Sequence, residues 1–348
     1  MAEPVISYPG AKWRFYPHMV DYFPLDMEVF IEPFLGGGSV SLSVADDPRF
    51  TKLERMIAGD LAPEMWAFWN GVKRDPAAVE EIATKWFTQA CPHHEELKNI
   101  GFNAEMMRTY TKGENVGWEN SNLLTDVDKA NIKDRLDLCN LALEEAQKFW
   151  DWSQKVETTN MSLEERAARI ILVNKISFSG MGDSGSLSAD RFCAFRLDAL
   201  KSMYKASKLL KRIEIYNVSF EVTMDYAKEN PDKTFIFLDP PYYNQESSGL
   251  YGRNGDTHKG FPHEKFAQVT KESPAKWFVT YDDSIFVRKM FMGQTPTGKD
   301  IVITPFTIPG GYTMAQKNAE DALAGEEVFI SNYDIKTVNE DGEFDSDF

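Results

Sequence analysis

The segment Thr234-Phe235-Ile236-Phe237-Leu238-Asp239-Pro240-Pro241-Tyr242 restricts the fold more than any other stretch of the chain. Its first five residues are largely apolar and rich in aromatic and branched side chains. They predict a strand buried on both faces, the pattern of a parallel sheet. The strand must stop at Asp-Pro-Pro-Tyr, because two consecutive prolines offer no N–H to a sheet ladder. The prolines also keep the backbone extended, so Asp239 and Tyr242 are carried on a stiff edge at the strand's carboxyl end. In open α/β sheets that end is where ligands bind. A proline turn in which Asp239 merely caps the strand is the competing reading.

A related unit lies near the N-terminus. Residues 28–31 (Glu-Val-Phe-Ile) predict a short strand, followed by Glu32-Pro33-Phe34-Leu35-Gly36-Gly37-Gly38-Ser39 and a helix over 39–45. Strand, glycine-rich turn and helix together bring backbone N–H groups and a helix N-terminus to a ligand. A close-packed turn would use the same glycines. The next predicted strand, 54–58, runs into Gly59-Asp60. An acidic residue there, roughly 20 residues after the glycines, suits ribose hydroxyls and equally suits capping a helix from Ala62 onward. Ahead of this unit, Tyr8-Pro9-Gly10-Ala11-Lys12-Trp13-Arg14 reads as a Pro-Gly turn entering a short helix.

From 63 to 166 helical periodicity takes over, clearest over 77–87 and 130–152, with an irregular Gly-, Asn- and Trp-bearing middle over 111–125. Further strands at 213–217, 276–281 and 326–332 alternate with helices at 221–228, 263–271 and 285–291. The fold class expected is therefore α/β, a doubly wound, mostly parallel sheet interrupted by a helical insertion. The Ser/Gly-rich stretch to Ser188 reads as a flexible loop. A helix over 198–212 carries Lys201, Lys205, Lys208, Lys211 and Arg212 at three- to four-residue spacing. Such a basic stripe is either a solvated face or a phosphate contact.

Composition removes other classes. With 43% hydrophobic and 13% aromatic residues in 348, the chain can bury a large core, so disorder is not the default. A net charge of −16 excludes a uniformly basic coat for nucleic acid but not a local basic groove. Cys91, Cys139 and Cys193 form no CxxC, and the five histidines show no HExxH spacing. Neither a disulfide framework nor a metal site is expected. No run has the length of a membrane span and no signal-peptide layout opens the chain, so the cytoplasm is the expected compartment.

The order of the motifs then carries a resemblance. Tyr-Pro-Gly-x-Lys (8–12), Glu-Pro-Phe-x-Gly-Gly-Gly (32–38), Asp60, the helical insertion and Asp-Pro-Pro-Tyr (239–242) resemble the Dam-type, alpha-class N6-adenine-specific DNA methyltransferases. Leu250-Tyr251-Gly252 with His263-Glu264, Tyr281-Asp282-Asp283-Ser284 and Gly325-Glu326-Glu327 extend the likeness over most of 6–333, least within the insertion. The resemblance implies a Rossmann-like, seven-stranded methyltransferase sheet. Its catalytic domain would take 1–62 and 167–333, with a helical target-recognition domain at 63–166 and an acidic tail at 334–348. It implies S-adenosyl-L-methionine as cofactor, double-stranded DNA as partner, no metal and no membrane. A monomer is expected, with a dimer as the alternative, in a prokaryotic or phage-infected cytoplasm.

By the same resemblance, Tyr8 and Lys12 touch the methionine end of the cofactor. Glu32, Pro33, Phe34 and Gly36 line the turn beside it, Asp60 takes the ribose hydroxyls, and Phe178 packs near the adenine ring. Asp239 borders the cofactor, and Asp239, Pro240 and Tyr242 hold the target base. Lys201, Lys205 and Lys208 are the expected DNA contacts.

Chemistry supports these roles. The N6 lone pair of adenine is delocalised into the ring, which makes the nitrogen a poor nucleophile. An Asp carboxylate and a Pro carbonyl, each accepting one N6–H, draw the amino group toward tetrahedral geometry. Positioning and electrostatics then supply most of the rate. A base inside the stack must first be extruded. Two departures from the family stand out: Ala62 occupies a position usually held by Asn, and residues 179–188 lack the Arg- and Asn-bearing hairpin of GATC readers. GATC is therefore not the expected target. Transfer to another amino group (cytosine N4 or an RNA base) and a non-catalytic DNA-mimicking or DNA-binding role are the alternatives. Replacing Lys201, Lys205 and Lys208 together by Ala is expected to weaken DNA binding and to flatten the log–log salt slope by roughly 2–3; an unchanged slope would mark them as ordinary surface.

Overall fold

The structure, a computed structural model, describes residues 4–101, 103–243, 260–307 and 326–335. Leu250-Tyr251-Gly252, Gly325 and the tail beyond residue 335 lie outside the described residues. The chain forms two compact units: Pro9–Trp66 with the residues from Lys208 onward, and Val5–Tyr8 with Ala67–Ser207.

The first unit is built on a seven-stranded sheet of β1 (Val29–Glu32), β2 (Arg55–Gly59), β3 (Ile213–Tyr216), β4 (Thr234–Leu238), β5 (Lys276–Asp282), β6 (Val302–Thr307) and β7 (Glu326–Ser331). The strand order is β3-β2-β1-β4-β5-β7-β6. Strands β1 to β5 pair in parallel, whereas β7 runs antiparallel to both β5 and β6. This is a mixed α/β, mostly parallel sheet of the Rossmann-like methyltransferase kind. Among the described residues, no helix is long and apolar enough to cross a membrane.

Every residue of β4 is buried, and the pleat sends alternate side chains to opposite faces. Ile236 and Leu238 pack with Ile31, Ile57, Trp277, Val279 and Ile330, and with Phe220, Phe266 and Phe291 of the covering helices. On the other face Phe23 lies 4.8 Å from Phe235 and 5.7 Å from Phe237, ring centroid to ring centroid. Each such side chain contributes roughly 1.5–3 kcal/mol on full burial. Burial on both sides is why β4 reads as a continuous apolar run rather than an alternating one.

Strand β6 is not among the strands that the sequence pattern predicts. It forms at the sheet margin, with Pro305 opposite Val328. An edge strand tolerates proline because it is bonded on one side only.

The strand order also creates the crevice. The chain winds from β1 outward to β2 and β3, then returns to β4 beside β1 and proceeds to β5 on the other side. Strands β1 and β4 are neighbours, with Ile31 opposite Ile236. The glycine turn after one and the Asp-Pro-Pro-Tyr turn after the other therefore leave the sheet together. Such a switch point is the ligand-binding position of an open α/β sheet.

The second unit is helical, with long helices at Pro76–Ala90, Asp126–Lys155 and Leu163–Ile176. Asp75 caps the first through the N–H groups of Ala77 and Ala78, and capping boxes at Thr125 and Ser162 start the others. The unit continues to Ser207, so the expected boundary between residues 166 and 167 falls inside its helix Leu163–Ile176. The Ser/Gly-rich stretch, expected to be flexible, is tied down instead. Buried Arg169 donates to both carboxylate oxygens of Asp183 at 2.8 Å, and Asn174 Nδ2 donates to the Gly180 carbonyl at 2.6 Å.

A Cβ added to Gly59, at the end of β2, would lie 2.1 Å from Oγ1 and 3.1 Å from Cβ of Thr223. Gly59→Ala is expected to lower stability in urea titration by roughly 1–3 kcal/mol, with Thr223→Ala in the same chain recovering part of the loss. Wild-type stability in the single variant would mean that the helix Phe220–Asp225 retreats at no cost.

Candidate active site

Lys12 enters the crevice from the N-terminal turn. Gly10, with φ of 71°, reverses the chain, and the Lys12 N–H donates to Ser39 Oγ at 3.0 Å, at the start of the helix that follows the glycine turn. The side chain is buried. Its Nζ donates to the Gly10 carbonyl at 2.9 Å and to Asp239 Oδ2 at 2.9 Å, and lies 2.8 Å from Oδ1. Asp239 Oδ1 also accepts the Thr280 hydroxyl at 2.8 Å. Burial works against the charge of Lys12, but Asp239, Glu327 and Glu32 outweigh it and hold the ammonium pKa above its ordinary value. A buried ion pair survives when further hydrogen bonds satisfy its members, as the Gly10 carbonyl and the Thr280 hydroxyl do here.

Glu32 ends β1 and points into the same interior. Its Oε2 accepts the Ser41 N–H at 2.9 Å and also the Ser41 hydroxyl. Burial pushes the carboxyl up to about 8, against the pull of these two hydrogen bonds. Asp60 ends the neighbouring strand β2. Its Oδ2 accepts the Gly36 N–H and its Oδ1 the Ala62 N–H, both at 2.8 Å. Desolvation raises Asp60 to about 6, again opposed by its two backbone partners. Gly36 and Gly38 have φ of 45° and 66°, a region that disfavours side chains. Phe34 leaves the turn to stack on Phe220 at 5.7 Å and 25°.

The Asp-Pro-Pro-Tyr turn is fastened at its far end. Tyr242 is buried, stacked on Tyr281 at 5.8 Å and 25°, with Lys12 Nζ 4.9 Å from its ring centroid. The Tyr243 N–H donates to Asp282 Oδ1 at 2.8 Å, and its ring stacks on Phe286 at 4.2 Å. The carboxyl end of β5 thus holds the turn through Tyr281 and Asp282.

The arrangement has definite chemical capacity. A carboxylate offers about four acceptor directions; Lys12 and Thr280 use one on each oxygen of Asp239. An acceptor remains for a donor in the crevice, and the Pro240 carbonyl is the next acceptor along the chain. Two adjacent acceptors match an amino group, which has two N–H bonds. Among the described residues, no group of three or more His, Cys, Asp or Glu side chains is placed to hold a metal ion.

Lys12, Glu32, Pro33, Phe34, Gly36, Asp60, Asp239, Pro240 and Tyr242 all belong to the sheet unit, around the carboxyl ends of β1, β2 and β4. Tyr8 and Phe178 belong to the helical unit; Phe178 is 59% exposed beside Ser179, whose φ is 51°. Lys201 and Lys205 fall in the helical unit and Lys208 in the sheet unit, all three exposed. Sequence reasoning missed Thr280, Ser39 and Ser41. Serine and threonine side chains carry no signal of their partner, although the strand parity of β5 places Thr280 on the face opposite Val279 and Tyr281.

Residues 8–300 match the family described as D12 class N6 adenine-specific DNA methyltransferase. Two DNA adenine methylases of Vibrio cholerae serotype O1 are each 30% identical over 82 residues, which is 24% of this chain. The chain spans about a quarter (27%) of the length of these relatives. A type II methyltransferase of Lactococcus lactis subsp. cremoris, M1.LlaDCHI, is 22% identical over 276 residues, covering 75% of this chain and 72% of the relative.

The raised Glu32 carboxyl makes stability depend on pH. Between its ordinary value near 4.5 and about 8, the folded chain keeps the proton that the unfolded chain has lost. Folding then takes up a proton, so stability is eroded as pH rises through this window and levels off above it. Glu32→Gln keeps an acceptor for Ser41 without the titration. Its stability relative to wild type is expected to grow between pH 5 and 8, by an amount on the order of a few kcal/mol. Denaturation curves that differ by a constant amount across this range would refute the assignment.

Proposed function

The chain belongs to the D12 class N6 adenine-specific DNA methyltransferase family, and from that premise we propose that it transfers a methyl group from S-adenosylmethionine to the exocyclic amino group of an adenine extruded from duplex DNA. The observation that carries this reading is the Asp239 carboxylate. It is ion-paired and stands on a rigid Pro-Pro turn at the carboxyl end of β4, next to the strand that leads into the glycine turn.

The residues present fit the methyl donor. Asp60 retains lone pairs for ribose hydroxyls, because Gly36 and Ala62 take only one acceptor direction on each oxygen. The two positive-φ glycines leave the turn without side chains at a point where a ligand needs close approach to the backbone. Around Lys12 the charged carboxylates of Asp239 and Glu327 outnumber the ammonium, which favours a cation. S-adenosylmethionine, when bound, supplies an electrophilic methyl group activated by the sulfonium charge. Lys12, Glu32, Pro33, Phe34, Gly36, Asp60 and Asp239 would hold it; the roles of Tyr8 at its methionine end and Phe178 near its adenine ring belong to the same proposal.

The chain's own part in the reaction is to prepare the nucleophile. The Asp239 carboxylate and the Pro240 carbonyl each accept one N6–H, which pulls the nitrogen out of conjugation and localises its lone pair. The Pro-Pro backbone and the Lys12 ion pair keep these acceptors fixed, so little reorganisation is needed at the moment of transfer. Tyr242, buried in this structure against Tyr281, is assigned the aromatic surface for the extruded base, a contact worth roughly 1–3 kcal/mol once its ring is uncovered. Target recognition is assigned to the helical segment 63–166 and duplex contact to Lys201, Lys205 and Lys208.

Incubation with isotopically labelled S-adenosylmethionine and unmethylated duplex DNA, followed by nucleoside analysis, is expected to yield N6-methyldeoxyadenosine. Asp239→Ala leaves the Lys12 ammonium unpaired and is expected to be less stable, and at a temperature where it is folded it should lose at least about 10²–10³-fold in transfer. N4-methylcytosine or a methylated RNA base would move the substrate elsewhere. Cofactor binding without transfer to any nucleic acid would leave a non-catalytic binding protein.

A further inference from the structure

We propose that Thr280 is a positioning residue for methyl transfer: its hydroxyl pins Oδ1 of Asp239 and so fixes the orientation in which the carboxylate meets the amino group of the base. The inference rests on the function proposed above and adds a residue to its machinery.

Thr280 lies within β5 and is fully buried. Its neighbours Val279 and Tyr281 belong to the core on one face of the sheet. Strand alternation puts Thr280 on the other face, with Phe278. Leu238 pairs with Val279 at the last registered position of β4 and β5. The residue after each is therefore Asp239 on one strand and Thr280 on the other, which brings the two side chains together. The hydroxyl donates to Asp239 Oδ1 at 2.8 Å.

The fold alone does not call for a hydroxyl here. Valine has the same branching and nearly the same shape, suits a buried strand equally well, and removes the desolvation cost of a polar group. The partner of the hydroxyl is also informative. It bonds not to the backbone of its own element but to the Asp239 carboxylate at the end of β4.

The two oxygens of that carboxylate are held by different partners. Oδ1 accepts the Thr280 hydroxyl at 2.8 Å and Oδ2 accepts Lys12 Nζ at 2.9 Å, with Nζ also 2.8 Å from Oδ1 across the ion pair. Each oxygen keeps a further acceptor direction, and the two donors together fix how the carboxylate is turned. With Lys12 alone the carboxylate could pivot about its ion pair, because a lysine ammonium is a point charge with rotatable donors. The hydroxyl supplies a second fixed point that removes this freedom. A displacement of about 1 Å at a reacting group is enough to cost on the order of 10²-fold in rate.

The test uses the full-length chain, unmethylated duplex DNA and labelled S-adenosylmethionine, with Thr280→Val, Thr280→Ala and Thr280→Ser compared. Thr280→Val is expected to lower kcat about 10- to 100-fold, with KM for S-adenosylmethionine and for DNA moving less than about 3-fold. Thr280→Ser, which restores the donor, should return kcat to within about 3-fold of wild type. Thr280→Ala carries the same expectation as the valine variant and replaces it if valine misfolds. Wild-type kcat in either hydroxyl-free variant, or equal losses in Ser and Val, would overturn the positioning role while leaving the proposed function standing. A wild-type chain that methylates no adenine would overturn both.

Discussion

The interaction on which the crevice depends is the burial of the Lys12 ammonium against the Asp239 carboxylate. A charge removed from water in this way costs several kcal/mol unless it is paired and hydrogen-bonded. Both members are so bonded, Lys12 through the Gly10 carbonyl and Asp239 through Thr280. The pair joins residues 227 positions apart in the chain. It ties the N-terminal turn to the end of the central strand, and the Lys12 N–H to Ser39 Oγ bond extends the tie to the helix after β1. Three segments that would otherwise end independently are thereby held at one place.

The surrounding carboxylates give that place its electrical character. Asp239, Glu327 and Glu32 all act on the one ammonium, and burial lifts Glu32 to about 8 and Asp60 to about 6. Glu32 therefore keeps its proton near neutral pH, and the negative bias of the crevice comes from Asp239 and Glu327, which favours a cationic ligand and a hydrogen-bond-donating amino group. The negative bias is local in origin and separate from the whole-chain charge of −16, which governs solubility and long-range steering.

The sheet makes such a crevice because of the order in which its strands are laid down. A switch between β1 and β4 places two chain-reversing turns side by side, one of glycines that exposes backbone N–H groups and one of prolines that stiffens a carboxylate. The physical demands on the turns are opposite. The first needs conformations available mainly to glycine, at Gly36 and Gly38; the second needs a backbone that does not move.

Much of this was legible in the sequence because it is local. Five buried residues followed by two prolines can only be a central strand that stops. A glycine run between a strand and a helix declares its turn, and an acid after the next strand declares its place. These features determined the α/β class and nearly all of the strands, together with Asp60 and Asp239 as residues of interest; Lys12 entered through the resemblance of its motif. What only the tertiary structure decided is non-local. Strand β6 forms despite Pro305 because its place at the sheet edge asks for bonds on one side only. The helical unit extends to Ser207 because helix packing, not periodicity, sets its limit. The hydroxyls of Thr280 and Ser41 acquire meaning from partners on other elements. A hydroxyl's partner is chosen by strand register and helix placement, and those are properties of the assembled fold.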